Sequence, residues 1–330
     1  MIPGASSRTL NPYLLSGKIR VLPEDFTVAE VIKKGIDFEN GKHLLGVVEK
    51  KGVDHSVVVR LLGGSANYLG IKDKDALAYF FVSFKRVKVN EFSAEGIKLR
   101  VVGKTKKMLG RRMLLGNAFR INIKSCDCNP FSFEYWKNIM KSWHVPNYYG
   151  PQRFASNNLN IGRAIVNRNF SEADELIAAD GHGGLKIVPL WLKKFYVQSY
   201  QSFLFNREVA KVIDGEIKGQ SKSIDINEPP VFKGQTDAGY LAGYGFRDFG
   251  DKYSKSLIEV AREEGIKFRQ FYIDEMPELS QEGGIRPAGL PASLVSYSIN
   301  NNGDNATVRF VLNRGSYATV ALRELLIENA

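Results

Sequence analysis

"GIKDKDA", Gly70 to Ala76, is the stretch on which the reading of this chain turns. It runs directly into "ALAYFFVSF", residues 76 to 84, whose Val, Phe and Tyr content predicts a buried strand, and the strand-like pattern continues from Tyr79 to Val89. Two carboxylates, each beside a lysine, therefore stand at the mouth of a strand. On an extended segment Asp73 and Asp75 would face the same side, whereas on a turn they diverge. Lys72 and Lys74 are expected to favour their ionised forms. Taken alone, the stretch is either a solvated charged corner or the seat of a working aspartate.

Working outward, "KIRVLPEDFTVAEVI" (18–32) alternates around Pro23 as two short strands joined by a turn, and "KHLLGVVEKKG" reads as a further strand. "DHSVVVRLLGG" reads as a helix with Asp54 as N-cap and Gly63–Gly64 closing it. "GIKLRVVG" and "NAFRINIKSC" are strand-like, and "NPFSFEYWKNIMKSW" turns helical. "IGRAIVNRNFSEADELIAAD" is helical up to Gly181, "VPLWLKKFYVQSYQSFLFNREVAKVI" is a longer helix, and "NEPPVFKGQTDAGYLAGYGFRDFGD" is loop-rich. The end, "ATVRFVLNRGSYATVALRELLIEN", reads as a strand, a turn and a helix capped by Ser316. Early strands, middle helices and a returning strand and helix predict an α+β domain interrupted by a mostly helical insertion.

Charge narrows the function. The 330 residues carry 46 Lys and Arg against 35 Asp and Glu, a net +11. From Lys85 to Lys124 there are 12 basic residues and two acidic ones, so nearly all the excess lies in one segment. Its densest part holds Lys104, Lys106, Lys107, Arg111 and Arg112, a pattern that favours a polyanion, with nucleic acid ahead of a membrane surface. The opening residues lack the form of a signal peptide and no apolar run reaches membrane-spanning length, so the chain reads as soluble and cytoplasmic. No phosphate-binding loop, dinucleotide fingerprint or nucleophile elbow is present, and the four histidines are scattered without metal-ligand spacing. Cys126 and Cys128, one residue apart, read as two reduced thiols. Carboxylate chemistry beside nucleic acid remains.

"NYYGPQRF", Asn147 to Phe154, is the second constellation. It crowds amides, phenols, a guanidinium and a phenyl ring into eight residues, a set suited to stacking and edge recognition of an RNA base.

Together "GIKDKDA" and "NYYGPQRF" resemble the tRNA pseudouridine synthase D family. "PEDFTVAEV", "HLLGVVEKKG", "LLGNAFRINI", "VQSYQSFLFN" and "VRFVLNRGSYATVALREL" extend the resemblance in the family's order. It implies a pseudouridine synthase α+β core with a mixed, mainly antiparallel sheet, formed by residues 1–157 and 285–330. Residues 158–284 would be the family's insertion domain, forming the opposite wall of the cleft. It further implies Asp73 as the catalytic aspartate, acting as a nucleophile at C1′ or as a base at C2′. Phe26, Asn147 and Tyr317 match substrate-contacting positions, Asn147 on the uracil or ribose edge and the two rings shaping the pocket. Tyr149 and Arg153 accompany them, with Arg153 expected to pair with Asp73, and the five clustered cations would track RNA phosphates. tRNA is the implied partner, by resemblance at the position-thirteen uridine. No cofactor, metal or obligate protein partner is implied. Tyr149 and Tyr317 stand where the family usually has Phe, Ala155 replaces a usual Gly, and "ALAYFF" lacks the usual Thr and Gln. The reading from another class is a non-catalytic RNA-binding protein or RNA chaperone on the same scaffold, which would tolerate Asp73→Asn.

Overall fold

A computed structural model describes residues 2–6, 10–33, 40–61, 66–84, 91–142, 145–219 and 237–327. Gly63, Gly64, Lys85, Arg86, Lys88, His144 and residues 220–236, which include the first part of the loop-rich stretch, lie outside the described residues. In chain order the elements begin with Phe26–Ile32 (β1), His43–Lys51 (β2), His55–Leu61 (α1), Asn67–Tyr68 (β3), Leu77–Phe84 (β4) and Glu91–Ala94 (β5). Ile97–Thr105 (β6), Leu114–Lys124 (β7), Pro130–Lys141 (α2), Asn158–Val166 (α3), Phe170–Ala179 (α4) and Leu190–Gly219 (α5) follow. Ala238–Leu241 (β8), Lys252–Glu263 (α6), Gly284–Pro287 (β9), Ala292–Ile299 (β10), Asn305–Asn313 (β11) and Ala318–Arg323 (α7) complete them.

The chain forms two compact units. A sheet unit comprises Tyr13–Lys141, Ala292–Gly315 and Leu325–Ala330. A helical unit comprises Met1–Pro12, Ser142–Pro291 and Ser316–Glu324.

In the sheet unit the strands run β10-β11-β7-β1-β4-β2-β6-β5, with β3 beside β4. Among these described strands β1 and β4 pair in parallel, and the other ladders are antiparallel. The sheet is therefore mixed and mainly antiparallel, as expected. Strand alternation sets the core: Ala78, Phe80 and Val82 of β4 and Val308, Phe310 and Leu312 of β11 are buried. Helix α2 adds Phe133 and Trp136, the latter edge-on to Phe310.

Three local expectations are corrected here. Residues 18–32 hold one strand, not two: Lys18 makes an isolated bridge to Lys124, and Pro23–Asp25 form a 3-10 turn into β1. Pro23 fits the first turn position, and Asp25 Oδ2 accepts the Leu22 N–H at 2.9 Å, which closes the corner. Cys126 and Cys128, expected as two reduced thiols, are paired as a disulfide, with Cα atoms 5.1 Å apart. Asp54 does cap α1, accepting the Ser56 N–H at 2.8 Å. Ser316, however, does not cap α7; Tyr317 occupies that position, with no side-chain capping bond.

The helical unit packs α3 and α6 against the 30-residue α5, with α4 against α3. Ile161, Ile165, Tyr196, Tyr200, Leu204 and Phe271 are at its centre. The stretch expected to stay helical up to Gly181 breaks into α3 and α4 at Arg168, whose φ is 65°. Its guanidinium donates to the carbonyls of Val166, Gln270 and Tyr272, so the break is held from outside the helix. Among the described residues, no helix is long and apolar enough to cross a membrane.

Candidate active site

The KDKD stretch is a turn, and two buried lysines fasten it. Lys72 Nζ reaches back to Glu30 Oε1 of β1 at 2.6 Å, with side-chain exposures of 6% and 0%. Glu30 Oε2 also accepts the Phe81 N–H of β4 at 2.9 Å, so one carboxylate ties the turn to the parallel pair of the sheet. Lys50 of β2 is fully buried, and its Nζ donates to the carbonyl of Asp73 at 2.5 Å and to that of Val53 at 2.7 Å. Burial lowers the Lys50 ammonium, while Asp54, Asp73 and Asp75 pull it the other way. His55, with Tyr68 and Phe80 against its ring, lies by both lysines. Burial and their charge push its imidazole down to about 4.

The backbone of Asp73 is thus fixed while its side chain stays half-exposed. Its Oδ2 accepts from Arg20 Nη2 at 3.2 Å, and the Arg20 guanidinium lies 4.3 Å above the centre of the buried Phe26 ring. Arg20 has φ 59°, unusual for a residue with a Cβ, and this backbone twist precedes the Pro23 turn. A cation at Asp73 is thus supplied by Arg20. Lys72 serves Glu30, and Lys74 and Asp75 are exposed. Arg20 escaped the sequence reading because alternation alone made it an outward strand residue.

The helical unit holds the Asn147 loop. Asn147 is buried; its backbone N–H donates to Ala288 O at 2.7 Å and its Nδ2 to Pro287 O at 3.0 Å. Its Oδ1 accepts from Arg286 Nη2 at 2.9 Å and its carbonyl from Arg286 Nε at 3.1 Å. Held in this fork, the Arg286 guanidinium lies 4.1 Å over the Tyr149 ring. Asn206 of α5 clamps the same loop, accepting the Tyr149 N–H at 2.8 Å and donating to its carbonyl at 3.1 Å. Tyr149 meets Tyr317 edge-on at 6.1 Å. A Cβ on Gly150 would fall 2.7 Å from Tyr317 Cδ1, so a glycine is needed for the Tyr317 ring to come so close. Burial raises the Tyr317 phenol, with Arg153 and Arg286 opposing. Arg153 donates to Ser202 Oγ at 3.1 Å and Gln198 Oε1 at 3.3 Å, and lies 4.5 Å over Phe195. Arg286, alone between Ile285 and Pro287, carried no pattern that sequence reading could have used.

Lys104 is the penultimate residue of β6, Lys106 and Lys107 follow the strand, and Arg111 and Arg112 open a short 3-10 turn; all five are exposed.

The fold class is α+β, built on a mixed, mainly antiparallel sheet with a carboxylate set at a strand mouth. A crystal structure of a putative tRNA pseudouridine synthase D from Methanosarcina mazei superposes with a TM-score of 0.69 at 20% identity, over 99% of this chain and 96% of that one. Residues 9–181 and 233–325 match the family described as tRNA pseudouridine synthase D (TruD), and the chain belongs to that family of isomerases. It is 28% identical to a tRNA pseudouridine synthase D of Thermus thermophilus, covering 94% of this chain and 89% of the relative. It is 25% identical to a probable tRNA pseudouridine synthase D of Thermococcus sibiricus, covering 94% and 95%.

Proposed function

We propose that this chain isomerises a uridine in tRNA, by resemblance the one at position thirteen, to pseudouridine, with Asp73 as the catalytic carboxylate. The observation that carries the assignment is the Arg20–Asp73 ion pair, on a backbone fastened through Lys50 and Lys72. A half-exposed carboxylate with a rigid backbone and an organised counter-charge can meet a substrate carbon without first reorganising.

In the reaction the C1′–N1 bond breaks, the base turns, and a C1′–C5 bond forms. C5 loses its hydrogen as a proton and N1 takes one up, so atoms and electrons balance with no redox partner. Asp73 either attacks C1′ and is displaced by C5, or removes the C2′ proton and returns it. Arg20 orients the carboxylate in both routes. The target base must leave its stack to be reached.

Phe26 supports this pair from beneath Arg20. Tyr149, Tyr317 and Arg153 are assigned to the substrate. Asn147, whose amide is committed to Pro287 and Arg286, serves it by setting the Arg286 guanidinium. Lys104, Lys106, Lys107, Arg111 and Arg112 bind the RNA backbone. Residues 1–157 and 285–330 are assigned to the catalytic domain and 158–284 to the family insertion. The enzyme works in the cytoplasm, without a cofactor or an obligate protein partner.

Carbodiimide mapping of a tRNA transcript after incubation tests this directly. One new stop at the position-thirteen uridine is expected, in buffer containing EDTA. A stop at another uridine would overturn the positional assignment, and modification lost in EDTA would overturn the cofactor-free one.

A further inference from the structure

An apolar, basic surface of the helical unit, at the start of α5, is left unused by the reaction. Trp191 is 66% exposed, Ile187 74% and Leu190 45%. The loop before the helix is not loose: Leu185 and Val188 are buried on either side of Ile187, and the Leu185 N–H is held by Asp174 Oδ1. Ile187 is therefore projected outward by a fastened backbone. Single exposed apolar residues are ordinary, but three together, one of them an indole, mark an interaction surface.

The surface has a direction. Trp191, Phe195, Gln198 and Ser202 follow one another at helical spacing along one face of α5. The last three hold Arg153, which lies over Phe195 at 4.5 Å and 5.6 Å from the Tyr149 ring. Aromatic side chains and one guanidinium are thus set out along one helix face from the Asn147 loop to the exposed indole.

In sequence the stretch is basic, Asp174 of α4 being the acid that fastens its loop. No Asp or Glu occurs from Gly181 to Arg207, while Lys186, Lys193 and Lys194 flank the indole in sequence. An apolar partner protein gains nothing from such a lysine frame. A nucleic-acid strand gains both a stacking platform and phosphate contacts.

We infer that Trp191, flanked by Ile187 and Leu190, is a stacking site for an unpaired nucleobase of the tRNA substrate, with Lys193 and Lys194 on the adjoining phosphates. The inference rests on the reading of tRNA as substrate. The site adds binding energy away from the reacting uridine, so its loss acts on KM and leaves the chemical step alone.

The test is steady-state turnover of one tRNA transcript by wild type, Trp191→Ala, Trp191→Phe and the double variant Lys193→Ala/Lys194→Ala. Replacing a stacking aromatic by alanine should raise KM about tenfold with kcat unchanged. Phenylalanine should recover KM to within about threefold of wild type, and the lysine variant should raise KM and flatten its salt dependence. An unchanged KM in Trp191→Ala, or a Trp191→Phe variant as impaired as Trp191→Ala, overturns the site. A wild-type dimer dispersed by Trp191→Ala with KM unchanged would assign the surface to a second copy instead. If wild type gives no turnover, the enzymatic reading fails by itself. Filter binding of the same tRNA then decides the stacking site, which an unchanged Kd in Trp191→Ala would reject.

Discussion

Replacing Lys72 with methionine should destabilise the sheet unit by about 3 kcal/mol, at the lower end of the cost of breaking a buried ion pair. The geometry supplies the magnitude. The Lys72–Glu30 pair is 2.6 Å long and almost fully buried. At an effective dielectric of about 20 its gross attraction is about 6 kcal/mol, most of which offsets the desolvation of the two groups. Removing the ammonium leaves Glu30 charged in the core, where the Phe81 N–H at 2.9 Å is its remaining identified donor. That surviving hydrogen bond places the expectation at the lower end of the range. Urea unfolding is the assay. With a slope of about 2 kcal/mol per molar, the midpoint should fall by about 1.5 M. The double variant Lys72→Met/Glu30→Met removes both charges and should recover to within about 1 kcal/mol of wild type. Turnover should fall in both variants, because each frees the turn that presents Asp73. A midpoint shift below about 0.5 M in the single variant, or a double variant no better than the single, would refute the reasoning.

Arg20→Ala should cut kcat by about a hundredfold with tRNA affinity retained, and Arg20→Lys should recover part of the loss, since the charge returns without the fork. Equal kcat in all three proteins would remove Arg20 from the mechanism. Neutralising Lys104, Lys106, Lys107, Arg111 and Arg112 together should lower the slope of log affinity against log salt by about four, close to one per lost phosphate contact; an unchanged slope would place the RNA backbone elsewhere. His55 has its pKa lowered by burial from 6.5 to about 4, so the unfolded chain binds a proton that the folded one does not. Stability contributed by the neutral imidazole is therefore lost as pH falls through 6.5 toward 4, by about 2 kcal/mol between pH 7 and 5. In urea titrations at the two pH values, His55→Leu should lose this part of the pH dependence, and a pH dependence equal to wild type would contradict the assignment.

What was legible in the sequence is what periodicity encodes. The Val, Phe and Tyr content of "LAYFFVSF" predicted β4, "ATVRFVLN" read as the strand that is β11, and the helical spacing of apolar residues in "NPFSFEYWKNIMKSW" predicted α2. Asp73 stood out as a carboxylate beside lysines at a strand mouth, but the local pattern left a solvated corner also open, and only the family resemblance singled it out as catalytic. What surrounds it was not legible. Arg20 and Asp73 lie 53 residues apart, and Lys72 and Glu30 lie 42 apart. No local pattern announces such pairings; they depend on the parallel pairing of β1 with β4. The helix break at Arg168 was hidden for the same reason, because the carbonyls of Gln270 and Tyr272 that hold it come from about a hundred residues away. Arg286 is the clearest case. It has no motif of its own, and only the fold brings it over Tyr149.

The central claim is that Asp73 performs chemistry on a uridine in tRNA. Tritium release from a tRNA transcript labelled at uracil C5 tests it most directly, since C5 sheds its hydrogen only when it joins the sugar. Wild type should release tritium with EDTA present, and Asp73→Asn should release none while binding the same tRNA with wild-type affinity. Release by Asp73→Asn at the wild-type rate would contradict the account. Binding without release by either protein would leave the chain an RNA-binding protein on this scaffold.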